Sequence, residues 1–300
     1  MRPYTDADFL KIRDFLVTTY GHFRRSYNWT IERWNFSVSV ARVMNGVSMD
    51  DWAAQIGIWE QDGEIVGVAN AEGENDGEAF FQLAHEHLPE TVLQEMFIFC
   101  EARMGKVEEG KRKINLFLPS GDTRLEALAQ GRGFVRHSWV DHDAVLDVIS
   151  DFPVELPAGY AFSDGTSFSA EEKGTAHAKA FGYFGEPVYP ARAADAFGQL
   201  TRMPDYRADL DMCVRAPDGE VVSFATMWYD AENQIGILEP VGTVPDHRRL
   251  GLGRAAICRL VNMVGRKGAT RIHVGSDQAF YQRLGFVPTP KYSVWVKKIG

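Results

Sequence analysis

Apolar and polar residues follow similar patterns in the two halves of the chain. In the first half, the pair Asp62-Gly63 precedes the mainly apolar segment 65–69. In the second half, Asp218-Gly219 precedes the similar segment 221–225. An Asp-Gly pair next to such a segment is typical of a hairpin turn followed by a strand. The two pairs lie about half the chain apart, which suggests an internal duplication.

Two further patterns recur in the same order. A Gly-Phe pair occurs at Gly133-Phe134 and again at Gly285-Phe286. The capping-box patterns 5–8 and 169–172 each precede a helix-like run, because their side chains can satisfy the free N–H groups of a first helical turn. We therefore predict two duplicated domains, residues 1–150 and 153–300, separated where prolines and a glycine interrupt regular structure.

The second half predicts an alternation of helices, hairpins and single strands. The predicted order is a helix up to Phe181, a Gly/Pro-rich loop 182–187, a second helix, a hairpin from 209–214 that returns through Met227, a strand 235–243, a helix 254–265, a strand 272–274, a short helix and a last strand 292–296. This order is typical of a mixed α/β fold (α+β, with a mixed sheet) and not of a run of parallel βαβ units.

A glycine-rich loop joins the strand 235–243 to the following helix. Gly251 and Gly253 allow a tight turn and a close approach of the backbone to a ligand. The free N–H groups of the first helical turn and the helix dipole then favour an anion. Arg248, Arg249 and Arg254 add donors suited to phosphate. The loop therefore predicts a phosphorylated ligand.

The loop has neither a Gly-Lys-Ser/Thr sequence nor a G-x-G-x-x-G spacing. It resembles motif A of the GNAT acetyltransferase superfamily, Arg/Gln-x-x-Gly-x-Gly/Ala, which holds the pyrophosphate of acetyl-CoA. The later segment 280–286 resembles the Tyr-x-x-x-Gly-Phe motif B of the same superfamily. The resemblance implies two tandem GNAT-like domains, an arrangement similar to that of the mycothiol synthase-like acetyltransferases.

The resemblance also implies roles for individual residues. Backbone amides that would contact the pyrophosphate belong to Arg249, Leu250, Gly251, Leu252, Gly253 and Arg254. The strand end Val241-Gly242-Thr243 would pair with the pantetheine arm. Tyr281 would protonate the departing thiolate, although a core aromatic is the alternative. Ser276 either replaces a pantetheine-contacting Asn of the family or caps the short helix.

Glu239 is the candidate general base on the strand before the loop. A substrate amine is mostly protonated at neutral pH, so a base must remove a proton before the amine can attack a thioester. An ion pair with Arg248 or Arg249 is the competing interpretation. Asp230 and His247 are fallback candidates.

The first half lacks both motifs. Its corresponding stretch 80–91 contains no glycine and places Glu86 and Glu90 where they would repel phosphate, and Ala129 stands where the second half has Tyr281. We expect residues 1–150 to be a degenerate, structural GNAT-like domain. Weak acetyl-CoA binding there is left open. His85 and His87 are expected to be exposed, and no metal site is predicted.

Composition narrows the function further. The chain carries 41 Asp and Glu against 32 Lys and Arg, a net charge of -9, which argues against nucleic-acid binding. Three cysteines without a C-x-x-C pair argue against a disulfide framework. No signal peptide or membrane-length apolar run is seen, so a cytoplasmic protein without a membrane partner is expected. A homodimer is compatible with the sequence.

These observations predict an N-acetyltransferase that uses acetyl-CoA as co-substrate and a small-molecule amine as acceptor. Its one competent site would lie in residues 153–300. Two alternatives stay open. The first is a non-catalytic acyl-CoA-binding or sensing module, which needs the glycine loop but no acid or base. The second is an acetyltransferase that acts on protein N-termini or lysines.

Overall fold

The computed structural model describes residues 1–74, 77–186, 189 and 191–299. The chain divides into two compact units. Unit 1 comprises Met1–Asp143 and Thr289–Gly300, and unit 2 comprises Ala144–Pro288. Of the described helices, none is both long enough and apolar enough to cross a bilayer. Over the same residues, no three His, Cys, Asp or Glu side chains are grouped so that they could hold a metal ion.

Within its described residues, unit 1 combines α-helices with a sheet. Its helices are α1 (Phe9–Phe23), α2 (Ile31–Phe36), α3 (Arg42–Met44), α4 (Met49–Ala54), α5 (Glu90–Arg103) and α6 (Thr123–Gly131). Its strands are β1 (Arg2–Pro3), β2 (Gly57–Gln61), β3 (Glu64–Asn70), β4 (Glu78–Leu83), β5 (Lys106–Glu108), β6 (Lys111–Pro119), most of β7 (Val135–Asp147), and most of the last strand of the chain, Val287–Ile299.

The sheet of unit 1 is mixed. Strands β1 to β4 form antiparallel pairs in chain order. β4 then pairs in parallel with β6, as far as Phe80 opposite Phe117. On its other side β6 pairs antiparallel with the strand Val287–Ile299.

The elements of unit 2 follow a similar order. Its helices are α7 (Ala170–Phe181), α8 (Ala191–Leu200), α9 (Leu252–Gly265) and α10 (Ala279–Gln282). Its strands are the end of β7, then β8 (Ala161–Asp164), β9 (Asp211–Arg215), β10 (Val221–Asp230), β11 (Ile235–Thr243) and β12 (Arg271–Val274), which makes the last strand of the chain β13 (Val287–Ile299). The sheet order is β7-β12-β11-β10-β9-β8.

The shared order of elements agrees with the duplication predicted from the sequence. In each unit an antiparallel hairpin leads into a strand that forms the parallel step, β4 with β6 and β11 with β12. Both predicted capping boxes are present, at Thr5 and Ser169. At the second, Ser169 N–H donates to Glu172 Oε2 at 2.8 Å, and Glu172 N–H donates to Ser169 Oγ at 3.1 Å.

The last strand differs from the prediction, which placed residues 292–296 and the whole range 153–300 in the second domain. β13 pairs with β6 of unit 1, with Val294 opposite Phe117, and Trp295 packs in the unit 1 core. The end of β7 instead pairs with β12, so the division falls inside β7 and not near residue 150. An alternating pattern identifies a strand, but the partner of that strand depends on long-range packing.

A buried ion pair ties α7 to the sheet of unit 2. Lys173 Nζ donates to Asp211 Oδ1, and both side chains are at most 2% exposed. Lys173 also donates to Thr226 Oγ1 at 2.7 Å, and Tyr206 Oη donates to Asp211 Oδ2 at 2.9 Å. The network fixes the helix that leads to the Gly/Pro-rich loop.

Replacing Lys173 by Met should leave the Asp211 carboxylate buried without its cation. Breaking a buried pair in this way costs about 3 kcal/mol. We expect urea denaturation to show that loss in the free energy of unfolding. The matched control is Lys179→Met. Lys179 also lies on α7, but its ion pair with Glu220, which precedes β10, is partly exposed on both sides, so a loss below about 1 kcal/mol is expected. If the two variants lose the same free energy of unfolding, the buried Lys173–Asp211 pair stabilises the fold no more than the exposed pair does.

Candidate active site

Strand β11 leaves its partner β12 about halfway along its length. Parallel pairing runs from Ile235 opposite Arg271 to Leu238 opposite Val274. Beyond this point β11 pairs with β10 alone, as far as Thr243 opposite Ser223. The register shifts at residues 239–240, which form a bulge. Within the described chain, the edge of residues 241–243 that faces away from β10 is therefore not paired with a strand.

The glycine loop follows directly. A short 3-10 turn, Pro245–His247, leads to Arg249 and Gly251, whose φ angles are 66° and 80°. Gly251 suits this left-handed conformation because it has no Cβ. In α9 the first backbone bond runs from Ala255 N–H to Gly251 O at 2.9 Å. The amides of residues 252–254 precede this bond and so lack an acceptor within the helix.

The open edge and the loop border one cleft of about 730 Å³. The cleft joins the end of β11, the start of α9, the end of α7 and the helix α10. The residues that line it are Ala180, Phe181, Val241, Gly242, Thr243, His247, Arg248, Arg249, Gly251, Leu252, Gly253, Arg254, Gln278, Phe280, Tyr281, Arg283 and Leu284. Most of the predicted coenzyme-binding residues are thus brought together.

Arg248 has a structural role that the sequence did not reveal. Its Nε donates to Thr243 O at 3.0 Å, and its Nη2 donates to Ala180 O at 2.8 Å. The side chain therefore links the end of β11 to the end of α7. Arg249 and Arg254 are exposed at the cleft and can offer charge to an anion. Phosphate binding by Arg248 stays a prediction.

Tyr281 lies on α10 and lines the cleft, with 7% of its surface exposed. Its ring contacts Phe280 and Phe286 edge-on, with centroids 5.0 and 5.8 Å apart. Burial, together with the nearby charge of Glu239, raises the pKa of the Tyr281 phenol well above its usual range. The phenol therefore stays protonated at neutral pH, which a proton donor requires.

Glu239 lies in the bulge of β11 and is half-buried. Its backbone oxygen accepts a bond from Trp228 Nε1 at 2.7 Å, which fixes the position of the bulge. Its carboxylate is close enough to Tyr281 to raise the pKa of the phenol, but Glu239 is not among the residues that line the cleft. Its role as base stays a prediction.

The two fallback bases differ in position. Asp230 lies at the far end of β10, where its carboxylate accepts bonds from Glu232 N–H, Asn233 N–H and Asn233 Nδ2. Asp230 closes the β10–β11 turn and is not among the residues that line the cleft, so its role as a base stays a prediction without support from this geometry. His247 lines the cleft, and its Nδ1 lies 3.0 Å from Tyr160 Oη.

Two predicted coenzyme contacts lie outside the cleft lining. The Ser276 hydroxyl accepts a bond from Gln278 N–H at 3.3 Å, but Gln278 itself is the N-cap of α10 and no side chain caps that helix. The capping alternative for Ser276 is therefore wrong, and its contact with the coenzyme stays a prediction. Leu250 is exposed and lines a neighbouring depression of about 420 Å³ with Pro153 and Gly251. A backbone contact between Leu250 and the coenzyme stays a prediction.

Other cleft residues were not predicted as coenzyme contacts from the sequence. Gln278, Phe280, Arg283 and Leu284 come from α10 and its flanks. These residues flank Tyr281 in the sequence, so the motif that contains Tyr281 could have indicated that they lie at the cleft. Ala180 and Phe181 enter from the end of α7, and Phe181 is 57% exposed. The Gly/Pro-rich loop 182–187 follows this end of α7. Its Pro187 lies outside the described residues.

Unit 1 fills the position that corresponds to the open edge of β11. Leu83 on β4 lies opposite Gly67, and Thr243 on β11 lies opposite Ser223. Because Gly67 and Ser223 stand at the same distance after the two Asp-Gly pairs, Leu83 corresponds to Thr243. Leu83 N–H donates to Asn28 Oδ1 at 2.9 Å, and Asn28 Nδ2 donates to Leu83 O at 2.8 Å. The side chain of Asn28 thus occupies both backbone groups of that edge.

The neighbours of Asn28 extend this closure. Trp29 N–H donates to Gln82 Oε1 at 2.7 Å. The Tyr27 ring stacks on Phe23, and its hydroxyl donates to Asp122, which caps α6. Tyr27 and Trp29 are each 1% exposed. The segment 27–29 is therefore part of the unit 1 interior, in the place where unit 2 has its cleft edge.

Comparison with known families and structures agrees with the cleft geometry. Residues 179–286 match the model of the Acetyltransferase (GNAT) family. No curated protein matches the chain.

Solved structures resemble the whole chain. A tandem GNAT protein from the clavulanic acid biosynthesis pathway is 13% identical, with a TM-score of 0.63 over 100% of this chain and 97% of that chain. A GCN5-related N-acetyltransferase from Sphaerobacter thermophilus is 15% identical, with a TM-score of 0.59 over 99% and 94%. The likeness confirms the predicted fold class of two tandem GNAT-like domains in a mixed α/β protein.

Proposed function

We propose that the chain is an N-acetyltransferase, because residues 179–286 match the model of the Acetyltransferase (GNAT) family. It moves an acetyl group from acetyl-CoA to the primary amine of a small molecule. One competent site, the cleft of unit 2, carries the reaction. Unit 1 supports the fold and carries out no transfer.

One observation carries the proposal. The open edge of residues 241–243 runs toward the free amides at the start of α9, and both border the same cleft as Tyr281. An extended amide-containing arm can pair with the edge, while a pyrophosphate accepts bonds from the amides. The donors present therefore fit coenzyme A.

Acetyl-CoA supplies an electrophilic thioester carbonyl and a thiol leaving group. Backbone amides of residues 252–254 and the exposed Arg249 and Arg254 hold the phosphates. The amine nitrogen forms a bond to the carbonyl carbon and the carbon–sulfur bond breaks. The Tyr281 phenol donates its proton to the sulfur, so that the thiol leaves in its neutral form. The attacking nitrogen loses its second proton as the amide forms, and this proton restores the Tyr281 phenol.

The proposed base is Glu239, which would accept the proton that the substrate ammonium must lose. Glu239→Gln keeps the size and removes the basic oxygen. We expect kcat to fall roughly 10²-fold, while the Kd for acetyl-CoA stays within a factor of about two. Steady-state kinetics and calorimetry measure the two quantities. Unchanged kcat would assign proton removal to another group, with His247 the next candidate at the cleft.

Binding stoichiometry separates the two units. Unit 2 offers an open strand edge and free amides, whereas the corresponding edge of unit 1 is occupied by Asn28. We expect calorimetric titration of the full chain to give one acetyl-CoA per chain. Two sites of similar affinity would contradict the closure of unit 1.

The function itself is tested with an acceptor panel. The chain is incubated with acetyl-CoA and small primary amines, and products are detected by mass spectrometry. A peptide with a free N-terminus and a lysine is included. Acetylation of a small amine supports the proposal, and acetylation of the peptide alone supports a protein acetyltransferase. Tight acetyl-CoA binding without any product would favour a non-catalytic sensing module.

A further inference from the structure

Unit 1 buries a group of charged and aromatic side chains around the ring of Phe80. Arg33 lies 4.5 Å from the centroid of that ring and 5.0 Å from the Trp29 ring. Tyr292 meets Phe80 edge-on, with centroids 5.7 Å apart. Lys291 Nζ lies 5.6 Å from the Tyr292 ring. Two cations and three aromatic rings thus come together inside unit 1.

Three polar atoms in this group have no hydrogen-bond partner in the described part of the chain: Glu32 Oε2, Trp29 Nε1 and Tyr292 Oη. Their residues are 6%, 1% and 1% exposed. The other Glu32 oxygen accepts a bond from Thr30 Oγ1 at 2.8 Å. A buried polar atom without a hydrogen-bond partner destabilises the fold, so three such atoms in one group of residues call for an occupant that satisfies them.

The charges of the group favour a cation. Four carboxylates, those of Glu32, Glu72, Asp141 and Asp143, interact with two cationic side chains, Arg33 and Lys291. Glu72 accepts two bonds from Arg33, at 3.0 and 2.6 Å. Burial raises the pKa of Glu32, so a cation next to Oε2 would keep this carboxylate ionised.

One side of the group reaches solvent. The side chains of Arg33 and Asp141 are 19% and 23% exposed. Trp139, 51% exposed, packs edge-on against Phe117, and Phe117 stacks on Phe80. Arg33 and Asp141 therefore form the side of the group that is nearest to solvent.

We propose that unit 1 binds a small amino alcohol. Its ammonium group donates to Glu32 Oε2 and Tyr292 Oη, and its hydroxyl oxygen accepts a bond from Trp29 Nε1–H. This arrangement satisfies all three unpartnered atoms and offsets the excess of carboxylates. Because segment 27–29 closes the adjoining strand edge, the ligand is held without acetyl transfer. The inference does not depend on the reaction proposed for unit 2.

The probe is 2-aminoethanol, titrated calorimetrically into the full chain. Ethylene glycol, which replaces the ammonium by a hydroxyl, and ethylamine, which lacks the hydroxyl, are run beside it. We expect 2-aminoethanol to bind more tightly than ethylamine and ethylene glycol not to bind. Absence of 2-aminoethanol binding would overturn the proposal and assign the three atoms to water.

Three variants locate the binding. Glu32→Gln and Tyr292→Phe should each weaken 2-aminoethanol binding about tenfold or more, the effect of one lost bond to a charged group. Glu64→Gln, on the exposed start of β3, should bind like the wild type. Acetyl-CoA affinity should be equal in all three, which also shows that they fold. Unchanged amine affinity in Glu32→Gln and Tyr292→Phe would place the amine elsewhere, such as in the unit 2 cleft, and would refute the site.

Discussion

Replacing Tyr281 by Phe should lower kcat by about 10²–10⁴, the usual contribution of a positioned acid, with little change in acetyl-CoA affinity. The substitution removes only the hydroxyl. The ring contacts with Phe280 and Phe286 can be retained, so the core of unit 2 should be preserved. A loss confined to kcat is the signature of a group that acts in the transition state.

The pH dependence provides a second readout. Burial and the charge of Glu239 raise the pKa of the phenol, so the acid stays protonated as pH rises through the neutral and mildly alkaline range. The wild-type rate should therefore not fall in this pH range, because the Tyr281 phenol keeps its proton there. Tyr281→Phe should be slow at every pH in that range. If Tyr281→Phe turns over at the wild-type rate, Tyr281 has only a structural role.

Local features of unit 2 could be predicted from the sequence. Strand 235–243 was predicted with the bounds that β11 has, because apolar residues end at a glycine loop. The capping box at Ser169 needs only residues three apart. Such signals depend on neighbours along the chain, so one sequence suffices to find them.

Features that depend on distant residues could not be predicted. The assignment of β13 to unit 1 requires its pairing with β6, and several strands were available as partners. Asn28 closes the edge at Leu83, 55 positions later, and nothing in its local sequence signals this contact. The bonds from Arg248 to Thr243 O and Ala180 O depend likewise on the folded path of α7.

The Arg248 bonds also connect the two sides of the cleft. Thr243 ends the strand edge that would hold the pantetheine arm, and Ala180 precedes Phe181 at the mouth of the cleft. The two bonds therefore hold the end of α7 next to the end of β11.

Replacing Gly253 by Asp should weaken acetyl-CoA binding about 10³-fold, or about 4 kcal/mol. A Cβ at this position would lie 3.3 Å from Thr243 Oγ1 and 3.6 Å from the Phe280 ring, so the carboxylate enters between two walls of the cleft. Its charge would repel a pyrophosphate and compete for the amides of the first turn of α9, whose bonds to a charged group contribute about 1.5–3 kcal/mol each.

Gly253→Ala separates the steric effect from the charge. Its Cβ meets the same neighbours but adds no charge, and Ala favours a helix over Gly by about 1 kcal/mol. We expect its Kd for acetyl-CoA to stay within about tenfold of the wild type, with an equal or higher melting temperature. Calorimetry gives both Kd values. If the Asp and Ala variants lose the same acetyl-CoA affinity, crowding at Thr243 and not charge weakens binding. If the Asp variant binds acetyl-CoA as tightly as the wild type, the pyrophosphate does not bind at this loop.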